Sequence, residues 1–93
     1  MAERRVNVGW NEGLHARPAS IFVRAATASG IPVTIAKADG NPVNAASMLA
    51  VLGLGAEGGE EIVLFSDAEG ADVALDRLAK LVAEGLDELP ETV

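Results

Sequence analysis

With 93 residues and no cysteine, the chain has room for one small domain spanning residues 1–93, without disulfides or thiolate metal sites. Fourteen acidic residues against seven basic ones leave a formal charge of −7, which opposes nucleic-acid binding, and one tryptophan with two phenylalanines offers little for stacking bases. No apolar run approaches the ~20 residues that span a bilayer, and no signal-peptide core follows Met1-Ala2-Glu3-Arg4-Arg5. No membrane insertion and a cytoplasmic location are therefore expected.

Val6, Val8 and Trp10 alternate with Arg5, Asn7 and Gly9, the pattern of a half-buried strand, which Asn11-Glu12-Gly13 ends as a turn. Trp10 reads as a packing residue at the strand end. Pro18 suits the first turn of a helix, where its missing N–H is not needed. Ala19, Phe22, Val23 and Ala26 then share one face, and Gly30 closes the run. Ile31, Val33 and Ile35 alternate as a second strand. Asp39-Gly40-Asn41-Pro42 forms a turn from which Val43 starts a short return strand. Ser47 occupies the N-cap position of a short helix through Met48-Leu49-Ala50-Val51-Leu52, stopped near Gly53. Ile62-Val63-Leu64-Phe65, within 60–66, reads as a strand buried mainly on one face. Leu75, Leu78, Val82 and Leu86 stripe a final helix.

This order predicts an α+β fold, with helices over one face of a mostly antiparallel sheet. A right-handed crossover allows the first two long strands to be parallel with another strand between them, and the strand order stays open.

The chemistry concentrates in Gly13-Leu14-His15-Ala16-Arg17-Pro18-Ala19-Ser20, which holds the only histidine. Imidazoles titrate near neutrality, so a neutral, nucleophilic nitrogen is available at cellular pH. Phosphoryl transfer also needs positioning and something to take up charge on the phosphoryl oxygens. A helix start offers unpaired N–H groups, here those of Ala16, Arg17 or Ala19, and a dipole that favours anions. Arg17 adds a permanently charged forked donor. No acidic residue lies between Glu12 and Asp39, so Arg17 and Arg24 stand in a neutral-to-basic stretch of an acidic chain. These residues alone leave open that His15 is a solvated turn histidine. No metal and no cofactor are expected.

The run Gly13 to Ala19 resembles the active-site motif of the HPr family, the histidine-containing phosphocarriers of the bacterial phosphoenolpyruvate:sugar phosphotransferase system. Val43-Asn44-Ala45-Ala46-Ser47-Met48-Leu49, followed by Leu52-Gly53-Leu54-Gly55, resembles the segment around that family's regulatory serine. Length and element order agree, so the resemblance covers essentially the whole chain. It implies an open-faced sandwich, a four-stranded antiparallel sheet covered on one face by three helices.

The resemblance also implies a covalent carrier rather than a stand-alone enzyme. His15 would be phosphorylated on Nδ1 by enzyme I using phosphoenolpyruvate, with Arg17 and the backbone of Ala16 and Arg17 serving the phosphoryl group. The group would then pass to the A component of a sugar-specific enzyme II. Partners would dock through Ser20, Met48, Leu49 and Leu52, although some of the three apolar residues must also be core. Ser47 would be a regulatory phosphoserine, with a serine kinase or a transcriptional regulator as further partners. Ala46 departs from the lysine that many members carry there. A monomer is expected. Two other readings stand beside this one: a carrier of the paralogous nitrogen-related phosphotransfer chain, and a non-catalytic ferredoxin-like binding domain in which His15 is incidental.

Overall fold

In the computed structural model, which describes residues 1–90, the first strand, β1 (Ala2–Asn7), ends before the alternating run does. The cause is a long-range capture. Val8 still exchanges backbone bonds with the segment entering the neighbouring strand, its N–H donating to Glu60 and its carbonyl accepting from Gly59. The N–H of Gly9 instead donates to the carbonyl of Val82 at 2.8 Å, which pulls the chain out of the sheet. A Cβ at Gly9 would lie 2.3 Å from the carbonyl oxygen of Ala83, so only glycine allows this approach. Val8 and Trp10 remain buried, as the alternation requires.

The remaining elements are α1 (Ala16–Ala28), β2 (Thr34–Lys37), β3 (Val43–Asn44), α2 (Met48–Leu54), β4 (Glu61–Ser66) and α3 (Ala71–Glu84). The sheet order is β1-β4-β2-β3, with antiparallel pairing at every junction. Because β1 and β2 both run against β4, they are parallel to each other with β4 between them, the arrangement a right-handed crossover allows. The register sets Val6 opposite Ile62 and Ile35 opposite Leu64 on the helix-covered face. Along β4, Ile62, Leu64 and Ser66 are buried and the intervening residues half-buried, which is the signature of a sheet with one open face.

Helix α1 buries Ala19, Phe22 and Ala26, together with Ile21 and Ala25, while Val23 is only partly buried at the edge of the core. Phe22, Leu14, Ile35, Leu64, Leu75 and Leu78 are fully enclosed and give the described residues a common core. Arg4 of β1 donates to Asp76 at 2.5 Å and Asp72 at 3.1 Å, tying the edge strand to α3.

Three boundaries differ from expectation. Strand β2 begins at Thr34, and Ile31 and Val33 precede it, with Val33 accepting a bond from the N–H of Ala45. Helix α2 runs through Gly53 to Leu54 and is stopped by Gly55, whose φ of +64° is the left-handed cap. Helix α3 stops at Glu84, where Gly85 adopts φ +62°. Leu86 therefore lies beyond the helix, its N–H donating to the carbonyl of Leu81 at 3.0 Å while its side chain packs against the core.

Candidate functional site

His15 is the N-cap residue of α1, in an extended conformation (φ −127°, ψ 157°), and its side chain makes no capping bond. The imidazole is exposed. At this position a Ser, Thr or Asp would spend its side chain on the helix. This ring is left free for other chemistry.

The loop that presents it is held from both sides. The N–H of Gly13 donates to the carbonyl of Trp10 at 3.0 Å, and that of Leu14 to the carbonyl of Ala56 at 2.9 Å. Leu14 is fully buried, as is Ala19 of α1, with Pro18 also buried. Between these anchors Ala16 takes a φ of +50°, which is unusual for a residue with a Cβ. Such a conformation costs roughly 1–2 kcal/mol, so the anchors impose a strained joint beside the imidazole. Nothing in the sequence signals it, since alanine is no marker of the left-handed region.

The N–H groups of Ala16 and Arg17 have no acceptor among the described residues. They are the free donors of the helix start, where the dipole favours an anion. Ala19 is buried, and the donors nearest solvent are those of the exposed Ala16 and Arg17. The side chain of Arg17 is exposed and forms no ion pair among the described residues; the pairs engage Arg4, Arg5 and Lys37. Arg24 lies two turns further along α1 and donates to the hydroxyl of Ser20 at 3.5 Å. Both arginines line an open cleft of about 970 Å³ whose other wall carries Asp87 and Glu88. The acid-free stretch read in the sequence is therefore not acid-free in space.

Ser47 caps α2 as expected, its hydroxyl accepting from the N–H of Ala50 at 3.3 Å. Met48, Leu49 and Leu52 are all exposed, Leu49 by 85%. The expectation that some of them are core is corrected: Val51 fills that role, fully buried, with Leu54 packed partly against the core. A seven-residue helix lying on the surface turns few side chains inward, and the remaining apolar ones form an exposed patch. Helix α2 packs against α1, so this patch and the His15 loop belong to one end of the helical layer.

Among the described residues, no group of His, Cys, Asp or Glu is placed to hold a metal ion, and no helix is long and apolar enough to cross a membrane.

Comparison with known proteins agrees with this arrangement. The family model for the phosphorylation site of the HPr component of the phosphotransferase system matches residues 2–84. The chain is 89% identical to the phosphocarrier protein HPr of Streptomyces coelicolor over the full length of both. Its fold matches the crystal structure of HPr from Bacillus anthracis with a TM-score of 0.81 at 36% identity, covering 87% of this chain and 95% of that one. The corresponding match to HPr from Thermoanaerobacter tengcongensis has a TM-score of 0.83 at 30% identity, covering 92% and 98%. In sequence, in sheet order and in its histidine-bearing helix start, the chain belongs to the HPr family of phosphocarriers of the phosphotransferase system.

Proposed function

We propose that His15 is the phosphoryl acceptor, loaded by enzyme I at the expense of phosphoenolpyruvate and emptied onto the A component of a sugar-specific enzyme II. The observation that carries this reading is an exposed imidazole at a helix N-cap that makes no capping bond, with the arginine of the same first turn free beside it.

In the transfer, the lone pair of Nδ1 attacks phosphorus. An N–P bond forms as the bond from phosphorus to the donor breaks, and its electron pair stays with the donor. The free N–H groups of Ala16 and Arg17 and the guanidinium of Arg17 take up charge on the phosphoryl oxygens. The onward step is the same displacement with His15 as leaving group. One helix end and one arginine make a modest anion site, which suits a group that must be passed on. Met48, Leu49 and Leu52, with Ser20 at the start of α1, form the docking face. Ser47, at its edge, is the target of a regulatory serine kinase.

Intact mass after incubation with phosphoenolpyruvate and enzyme I tests the reading. The expected result is one added phosphoryl group, lost in acid as a phosphoramidate is. An acid-stable adduct, or none, overturns it. Offering the enzyme I of the nitrogen-related chain in parallel assigns the branch: faster loading by the sugar-system enzyme is expected.

A further inference from the structure

Beyond α3 the chain forms a strap fixed at several points. Gly85 reverses it, and the N–H of Leu86 donates to the carbonyl of Leu81 at 3.0 Å. Leu86 and Leu89 pack against the core, and Nε of Arg77 donates to the carbonyl of Pro90 at 2.6 Å. Asp87 and Glu88 sit between the two leucine anchors, both exposed and both lining the cleft shared with Arg17 and Arg24. A free tail would let these carboxylates drift into water. The anchors hold them opposite the arginines instead. The family match ends at residue 84, so the strap lies outside the part of the chain that the family model describes.

The four side chains, all among the described residues, line one cleft and form no ion pair across it, so the carboxylates act on the guanidiniums through the intervening solvent, most strongly at low salt. A phosphoryl group on His15 is an anion that draws on Arg17. The strap carboxylates draw on the same guanidinium and repel the same anion.

We propose that Asp87 and Glu88 tune the carrier by weakening the hold of the Arg17–Arg24 face on the phosphoryl group, which raises the tendency of phosphorylated His15 to give that group up. They act through Arg17 and do not touch the reacting atoms. The inference rests on His15 being the acceptor.

The test lets two carriers compete for one phosphoryl pool. Wild-type protein and the Asp87→Asn/Glu88→Gln variant are mixed with catalytic enzyme I and limiting phosphoenolpyruvate until the label stops moving. At that point the N–P bond broken on one carrier is replaced by one formed on the other, with enzyme I as the intermediary. Radioactivity carried by the phosphoryl group, read after separation of the two carriers by charge, then reports each share. The label is expected to favour the variant up to about twofold at low salt, the lower part of the range for contact pairs, and to even out as salt rises. The variant Asp67→Asn/Glu69→Gln removes the same charges from exposed positions at the opposite end of α3 and is expected to share the label equally with wild type.

Equal shares for the Asp87→Asn/Glu88→Gln protein at low salt overturn the proposal. So does a preference that salt leaves unchanged, or one matched by the Asp67→Asn/Glu69→Gln control. If wild type takes no label at all, it is the His15 assignment that has failed.

Discussion

The backbone N–H of Leu14 donates to the carbonyl of Ala56 at 2.9 Å, which fastens the loop presenting His15 to the segment leaving α2. The imidazole of His15 and the exposed apolar face of α2 thus share one frame. On the proposed reading, a partner seated on Leu49 would meet His15 at a fixed height rather than on a loose loop.

Gly13 makes that bond possible. Its φ is +73°, and a Cβ there would lie 2.3 Å from the carbonyl oxygen of Ala56. Gly13→Ala is expected to destabilise the fold by about 2 kcal/mol or more, combining left-handed strain with overpacking. Urea melts measure the loss. Phosphorylation by enzyme I should also slow in the fraction that remains folded, because the Leu14–Ala56 bond must lengthen. A variant as stable as wild type would show that the loop has room this geometry denies.

His15→Ala should abolish labelling while leaving the protein folded. Replacing an N-cap residue by alanine ordinarily costs ~1 kcal/mol, but that cost belongs to a side-chain bond which His15 does not make. A change within about 0.5 kcal/mol is expected, typical of surface substitutions. Denaturation curves and intact mass check the two halves separately. Labelling of the mutant at normal rate would remove His15 from the mechanism.

Arg17 is expected to serve transfer and not stability, since its side chain is exposed and unpaired among the described residues. A charge-assisted bond to the phosphoryl oxygens contributes about 1.5–3 kcal/mol, so Arg17→Ala should slow transfer about tenfold or more. Arg17→Lys should restore only part of the rate, because an ammonium cannot make the forked contact. Rapid-quench kinetics with phosphorylated enzyme I distinguish the three proteins. Equal rates for alanine and arginine would rule out the role.

Legibility in the sequence followed how local each cause is. Alternation in β4 was readable because every second residue faces the same core. The Ser47 cap was readable because its bond spans three residues. The end of β1 was not, since Gly9 is captured by Val82 from the other end of the chain. Gly53 and Gly55 look alike as letters, and only the backbone shows which one adopts the left-handed cap. The periodic stripe of α3 continued on paper to Leu86, although the chain had already turned at Gly85. At the site, the helix start carrying His15 and Arg17 is a local pattern and was found. The approach of Asp87 and Glu88 to the arginines is tertiary, and its only trace in sequence is an acidic end to the chain.

A negative charge at Ser47 should impair docking without weakening the fold. The hydroxyl of Ser47 accepts from the N–H of Ala50 at 3.3 Å, and an aspartate can make the same bond. Its charge also suits the helix dipole, by a few tenths to ~1 kcal/mol. Ser47→Asp should therefore melt no lower than wild type. The effect on partners has the opposite sign. Ser47 adjoins Met48, and Leu49 and Leu52 complete an exposed apolar patch, so a partner covering that patch must also strip water from the new carboxylate. The apparent KM for enzyme I should rise and the onward rate should fall. His15 lies on a separate loop and should still be phosphorylated completely given time. Titration against enzyme I alongside thermal melts separates the two effects. If affinity is unchanged, or falls only as far as the fold loses stability, Ser47 serves α2 as a cap and has no part in docking.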